Sequence, residues 1–357
     1  MKKSSIIFLY FITFSFCSLS QSLKPYYCGC MKDSVRHYYE NIFKAEQFLI
    51  EGKKDSAIIS YLNGMSFMYL MPNDNFFNVR KLISSTDNQD LAFKYYETVF
   101  RYTVDSLTPI EFVERFQNLI SSEMQSRLLA ELPVVIKTPF LFIDENHLKI
   151  SSILSPLRDA DQAYRDPLAG NSKSTIKHRK NGDIENFKSI LKCYKTYGSF
   201  NTMRLDGEAS SAFRMTLLHR FFDKKTRTKY NDFFVNEVRC GHIDSREYAG
   251  IVDNYLFDST QVYGVHTIFF VGDSLVVFHL SDLGKEQINK NRQLIYLQDI
   301  ETTQSKLIWQ WKNNDEYRFE TIWEIVPYYP TETASDVAKQ KLKKMGSLVT
   351  GYTIYAR

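Results

Sequence analysis

The sequence predicts a mainly α protein with a small β patch near its C-terminus. Three observations carry that expectation. Apolar residues recur at helical spacing through most of the 357 residues, and capping residues and glycines bound the stripes. Two helical segments near the N-terminus repeat, Asp55-Ser56-Ala57-Ile58 with Tyr61 returning as Asp90-Leu91-Ala92-Phe93 with Tyr96, an offset of 35 residues. The period changes to two only at 262–280 and in the last residues.

The chain opens on Lys2 and Lys3, followed by the uncharged, mostly apolar run Ile6 to Phe16 and by Ser18-Leu19-Ser20, which places the small residues Ser18 and Ser20 at −3 and −1 before Gln21. This is the three-part pattern of a secretory signal peptide over residues 1–20. The apolar run is too short to span a bilayer, which takes about 20 residues, and no later segment is long and apolar enough to cross one. The expected mature chain starts near Gln21 and works outside the cytoplasm: in the periplasm, on the cell surface or secreted. Cys17 ends the apolar run where a lipoprotein cysteine would sit. Phe16 before it and Phe14 in place of the usual Leu argue against a lipid anchor there.

Apolar residues make up 44% of the chain and aromatics 15%, enough for a sizeable core and against wholesale disorder. The formal charge of +4 includes Lys2 and Lys3, so the mature chain is nearly neutral. No basic block is dense enough for a nucleic-acid arm. The richest run, Lys339 to Lys344, reads as the polar face of one helix. Outside the signal there are four cysteines, Cys28, Cys30, Cys193 and Cys240. Pairing Cys28 with Cys30 would close a small, strained ring. Cys193 with Cys240 is the more plausible bridge, although four cysteines allow three connectivities.

Taken in order, a helix is expected over 35–50, stopped by Gly52. A second starts near Asp55 and ends before Pro72. A third is capped by Asp74, and a fourth covers 90–102. The repeated pair of hairpins, with a small Ala where two helices cross, resembles the tetratricopeptide repeat family over residues 34–103. The Trp and Leu-Gly of that family's first helix are missing. Two such units do not make a stable stack alone, so they must dock on the later part of the chain. Thr108-Pro109-Ile110-Glu111 is a capping box with proline in the first turn. A helix over 122–132 completes an expected helical region 34–133. A second region, 146–312, is again helical: 147–165, then a polar loop from Pro167 to Gly182, a helix capped by Asp183, and helices over 208–222, around Tyr230 to Val238, and after the Asp244-Ser245-Arg246-Glu247 box. The runs 262–271 and 275–280 meet at Gly272-Asp273 as an inserted hairpin. Helices over 285–291 and 300–312 come next. The tail, 313–357, reads as an extended stretch over 318–326, a helix over 336–345 stopped by Gly346, and a final strand.

The residues fit for chemistry lie in the second region. Asp161 and Gln162 share one helix face with Arg165. His219 sits on the stripe of Ala212, Met215 and Thr216. Asp253 lies between the buried positions Val252 and Tyr255, where a carboxylate needs a partner. Asn186 lies in a first helical turn, and Gln261 and Tyr263 precede Gly264 at a helix-to-strand passage. In this order and spacing, with Asp183, Tyr197-Gly198, Tyr248-Ala249, Asn289 and Arg292, residues 146–312 resemble a bacterial helical domain family of unknown function. The resemblance implies an exported protein in which that domain follows tetratricopeptide-like helices, and it implies no activity. Asn254 after Asp253 and the long apolar hairpin after Gly264 depart from the family pattern.

Two functions are expected from these features. The first is a protein- or peptide-binding module of the cell envelope, without nucleic acid or cofactor. The second is a hydrolase-type enzyme in which His219 is the general base, Asp161 or Asp253 orients it, and Arg165 holds an anionic group, with Gln162, Asn186, Gln261 and Tyr263 as binding residues. No metal site is expected: Cys240, His242 and Asp244 alternate, but across a helix stop and a cap. Trp309, Trp311 and Tyr317 are read as core.

Overall fold

A computed structural model describes residues 30–67, 73–102, 108–117, 120–132, 145–164, 173–221, 223–253, 261–271, 273–313, 317–319 and 333–356. The signal segment, Cys28, Arg165, Pro167 and Asn254 lie outside these. Among the described residues the fold is mainly α, with fourteen helices and one three-stranded antiparallel sheet.

The first six helices are α1 (Lys32–Ile50), α2 (Lys54–Phe67), α3 (Asn73–Ile83), α4 (Gln89–Tyr102), α5 (Pro109–Phe116) and α6 (Ser122–Glu131). Helix α1 buries Val35, Tyr38, Ile42, Ala45 and Leu49, one stripe at helical spacing, and it ends where Gly52 takes φ +73°. Ala57 and Ala92, the small residues of the repeat, are both buried. The Thr108 box forms as expected: its hydroxyl accepts from the Glu111 N–H, and Glu111 accepts from the Thr108 N–H at 2.7 Å. The core of these helices is completed from elsewhere in the chain. Tyr317 and Phe319 are buried in it, and Met203, Tyr296 and Trp309 pack against it.

The second half continues as α7 (Glu145–Tyr164), α8 (Lys173–Tyr197), α9 (Gly207–Phe221), α10 (Lys224–Arg239) and α11 (Ser245–Asp253). It closes with β1 (Ile268–Val271), β2 (Ser274–Leu280), α12 (Asp282–Leu294), α13 (Ile300–Lys312), α14 (Ala334–Met345) and β3 (Val349–Ala356). Helix α8 begins at Lys173, so the expected polar loop to Gly182 is largely helix. The glycine costs about 1 kcal/mol in a helix interior, and the packing of α8 on α7 and α9 overrides it. The expected 262–280 hairpin is shorter. Residues 265–267 form a 3₁₀ turn, and strand pairing starts at Ile268 opposite Val277. The C-terminal strand is not separate from this hairpin. It pairs with β2, Leu275 facing Tyr355, with a shift between His279 and Leu280. Helix α12 is pressed on this sheet at Gly284, where a Cβ would stand 2.4 Å from the Leu348 carbonyl oxygen. Lys341, expected on a solvated face, is instead buried, its ammonium 3.7 Å from the Phe269 ring centroid.

The disulfide differs from the expected pairing. Cys240 is bonded to Cys30, across 210 residues, and Cys193 is a free, buried thiol. Cys240 caps the C-terminus of α10, while Cys193 lies in the apolar core of α8 with Phe187, Ile190 and Phe200. The pairing reflects the tertiary approach of α1 to this corner, which spacing does not encode. The same corner holds Tyr39, whose hydroxyl donates to Asp244 Oδ2 at 2.8 Å and accepts from the Ser245 N–H at 3.0 Å. Farther along α1, Glu46 is 1% exposed. It accepts from Arg246 Nη2 at 2.8 Å and from Lys306 Nζ at 2.5 Å.

Two outcomes are expected. Glu46→Ala removes the carboxylate that holds buried Lys306 and part-buried Arg246 and should lower unfolding free energy by about 3–5 kcal/mol; replacing Glu46, Arg246 and Lys306 together by Leu, Met and Met should lose less. Urea midpoints of the three proteins decide this. Cys30→Ser should cost about 5 kcal/mol by the loop-entropy relation for a separation of 210 residues, and a non-reducing peptide map should join the Cys30 and Cys240 peptides while Cys193 alkylates only after unfolding.

Candidate functional site

The inward stripe of α7 runs Ile150, Leu154, Leu157 and then Asp161, three apolar turns ending in a carboxylate. The stripe of α9 runs Ala209, Ala212, Phe213, Thr216 and then His219. The register of these two helices is set at their other ends. Asp206 caps α9 through the Ala209 N–H at 2.7 Å and accepts from Ser155 Oγ of α7 at 3.2 Å. Ser151 Oγ accepts from the Asp206 N–H at 3.3 Å. With that register fixed, Asp161 Oδ1 comes 2.9 Å from His219 Nδ1.

Helix α8 supplies the third group. Asp183 Oδ1 stands 4.0 Å from His219 Nδ1. The side chains are 2% (Asp161), 9% (His219) and 14% (Asp183) exposed. Their ligand-type atoms all lie within 4.8 Å of one another, a spacing that would also accept a divalent cation. Asp183 does not cap a helix, as its sequence setting suggests. It lies inside α8, because the helix starts ten residues before it, at Lys173. Gln162 is exposed, and its amide donates to Asp161 Oδ2 at 3.1 Å. Asn186, one turn after Asp183, is 5% exposed, and its Nδ2 has no hydrogen-bond partner. Thr216, one turn before His219, is 2% exposed with its hydroxyl likewise unpartnered.

The structure separates the other sequence candidates from this cluster. Asp253 is fully buried at the end of α11 and organises the next turn. Its carboxylate accepts the N–H groups of Val262 at 2.8 Å, Tyr263 at 3.1 Å and Val265 at 2.9 Å. Gln261 Oε1 accepts the His266 N–H at 3.0 Å, and Tyr263 is core, edge-on to Tyr248. Arg292, 1% exposed, donates to the Tyr263 carbonyl at 2.8 Å and to Thr303 Oγ1 at 2.7 Å. Asn289 clamps Glu301 and the Ile300 N–H. Gly264 closes this turn at φ +74°, and a Cβ there would meet Ile288 and Ile300 at 3.1 Å. The residues of the family resemblance therefore divide. Asp161, Gln162, Asp183, Asn186 and His219 gather at one place; Asp253, Gln261, Tyr263, Gly264, Asn289 and Arg292 build a buried turn.

Cys240, His242 and Asp244 make no joint cluster. Cys240 is in the disulfide, His242 Nδ1 pairs with Glu237 Oε2 at 3.0 Å, and Asp244 caps α11 through the Glu247 N–H at 2.9 Å. Trp311 is buried against Phe270, and Trp309 packs on Phe319. Comparison with known protein families, with curated proteins and with solved structures finds no match for this chain.

Burial raises the Asp253 carboxyl to about 6, against the opposing pull of the Val265, Tyr263 and Val262 N–H groups and of Arg292. The folded chain thus holds this proton to a higher pH than the unfolded one. Stability is present below the unfolded value near 4 and falls as pH rises from about 4 to about 6, by up to about 3 kcal/mol from this group. Asp253→Asn cannot titrate, so the gap between its urea midpoints at pH 4 and pH 6.5 should be smaller than that of the unsubstituted chain.

Proposed function

We propose that the helical domain is a hydrolase-type site of an exported envelope protein, in which His219 is the general base and Asp161 orients it. The contact between Asp161 Oδ1 and His219 Nδ1, at 2.9 Å, carries this reading. A carboxylate on Nδ1 fixes the tautomer in which Nδ1–H donates and Nε2 takes a proton from water or a hydroxyl. Asp183 adds a second negative charge near the ring, which stabilises the imidazolium once the proton has moved. Arg165, one turn beyond Asp161 in sequence, keeps its proposed role of holding an anionic group. The buried Nδ2 of Asn186 and hydroxyl of Thr216 provide unpaired hydrogen-bonding groups on the same helix faces, where a bound polar group would satisfy them. The grouping of Asp161, Gln162, Asp183, Asn186 and His219 supports placing residues 146–312 with the exported bacterial family that they resemble.

A second reading, an interaction module that binds a protein or peptide in the envelope, is favoured by a different observation. Asn78 grips the backbone of Arg318 from both sides, accepting its N–H at 2.7 Å and donating to its carbonyl at 2.5 Å. The first helices of this chain therefore hold a distant residue of the same chain by its main chain.

The hydrolase reading is tested with the mature chain on ester, phosphoester and peptide substrates, with and without a chelator. His219→Gln and Asp161→Asn should each lower kcat about 10²–10⁴-fold while circular dichroism and urea midpoints show folded protein. Activity in the chelated enzyme would assign the cluster to proton transfer, and activity restored only by added Mn²⁺ or Zn²⁺ would assign it to a cation. Full activity in His219→Gln would refute the reading.

A further inference from the structure

We infer that Asp161, Asp183 and His219 form a divalent-cation site, and that a cation such as Zn²⁺ or Mn²⁺ held there switches the His219 base off. The switching half rests on the hydrolase reading. The binding half rests on the geometry of the three side chains and their neighbours.

The three groups come from three helices, α7, α8 and α9, so their spacing is set by packing and not by one helical turn. His219 Nδ1 stands 2.9 Å from Asp161 Oδ1 and 4.0 Å from Asp183 Oδ1, and the ligand-type atoms all lie within 4.8 Å of one another. Ligands of one cation with bonds of about 2.1 Å stand roughly 3.0 Å apart at right angles and roughly 4.2 Å apart when opposite. The two histidine spacings match these values, and a small rotation of Asp183 closes the set. Gln162 Nε2 holds the other oxygen of Asp161, Oδ2, at 3.1 Å, which leaves Oδ1 turned to the imidazole. One imidazole nitrogen and two carboxylate oxygens make a mixed donor set that suits Zn²⁺ or Mn²⁺, whereas Ca²⁺ takes about six to eight oxygens.

A second observation points to a ligand at the same place. Helices α8 and α9 run antiparallel. Asp183 meets His219 at one end, while Tyr194 stacks on Phe200 and Phe200 packs edge-on to Phe213 at the other. Asn186 therefore lies from Asp183 in the direction in which Thr216 lies from His219, and the two make the next layer inward. Both are more than nine-tenths buried, with Asn186 Nδ2 and Thr216 Oγ1 unpartnered. Three protein ligands leave open positions that a cation fills with water. Water held on that side donates to the Thr216 hydroxyl oxygen and accepts from Asn186 Nδ2, which satisfies both groups.

The two uses of His219 compete for Nδ1. As a base, the neutral ring keeps its proton on Nδ1, donated to Asp161, and offers Nε2. As a ligand, it gives the Nδ1 lone pair to the cation, and the proton passes through solvent to Nε2. No proton is gained or lost, but Nε2 no longer accepts one.

The test uses the mature chain dialysed against a chelator, with Zn²⁺ as the probe. Isothermal titration should find one equivalent bound. Affinity should fall at least about tenfold in Asp183→Asn and in His219→Gln, each confirmed folded by circular dichroism. Long-range ¹⁵N NMR should show one histidine ring passing from the Nδ1–H to the Nε2–H form as the site fills. That measurement uses the unsubstituted chain and decides the matter if a variant does not fold. Hydrolysis should fall at least tenfold over the same titration and recover on chelation. Zinc binding unchanged in both variants, or no ring changing form, overturns the inference and leaves the base reading in place. Activity that rises with bound zinc also overturns it, since the cation is then the catalyst. Binding that depends on Asp183 and His219, in a chain that hydrolyses nothing with or without zinc, upholds the cation site and refutes the hydrolase reading together with the switching that rests on it.

Discussion

A carboxylate buried at 1% exposure ties the first helices of this fold to its second half. Glu46 has no apolar alternative on its stripe, and an ionised carboxyl out of water is tolerated only with close cations. Those cations come from two distant elements, Arg246 of α11 and Lys306 of α13. Lys306 is further held by Gln298, just before α13. Helix α1 is thereby tied to the second half of the chain by a charge that would be exposed, or unpaired, in any other arrangement. The Cys30–Cys240 bond and the Tyr39 contacts with Asp244 and Ser245 reinforce the same seam from the N-terminal side of Glu46. Hydrophobic area alone would allow the helices to slide, and a paired charge allows one register.

That seam docks the first helices on the second half of the chain. Here Tyr317 and Phe319 are buried in the core of these helices. Lys306 fixes α13 on Glu46, and Gln310, one turn later, receives the Phe319 N–H. Lys306 and Gln310, which hold the ion pair and the Phe319 N–H, are on consecutive turns of one helix.

Much of the fold is legible in the sequence because its determinants are local. The α1 stripe, the Thr108 box, the Asp244 cap, the stops at Gly52 and Gly346, and the bounds of α13 follow from spacing and capping chemistry. Determinants set by long-range contact are not legible. Gly182 and Asp183 read as a loop end and a cap, while α8 runs through both because its packing outweighs one glycine. Cys240 meets Cys30 because Glu46 and Tyr39 bring α1 to it. Lys341 reads as solvated and lies over Phe269. At the site, the Asp161 and His219 positions are readable from their stripes, since a polar residue at the end of an apolar stripe must find a partner. Asp183 as the third member is hidden by the misplaced helix start. Asp253 is readable as a buried carboxylate, but whether its partner is an imidazole or a row of backbone amides depends on a turn with no sequence signature.

The chain contains its own comparison for the His219 site. His242 pairs with Glu237 at nearly the same distance, 3.0 Å. That pair has a structural occupation on every side. Ser199 Oγ donates to Glu237 Oε1, the His242 N–H donates to the Glu237 carbonyl, and the His242 carbonyl accepts from the Thr202 N–H and hydroxyl. The pair fastens the end of α10 to the turn before α9. The Asp161–His219 pair fastens α7 to α9, which Ser151, Ser155 and Asp206 already join at their other ends. It also gathers a second carboxylate and has the unsatisfied Asn186 and Thr216 one turn away. Asp183 at 4.0 Å is the feature that separates the two histidines. The proposed role of His219 gives a second carboxylate beside the ring a use, in holding the imidazolium once a proton has moved.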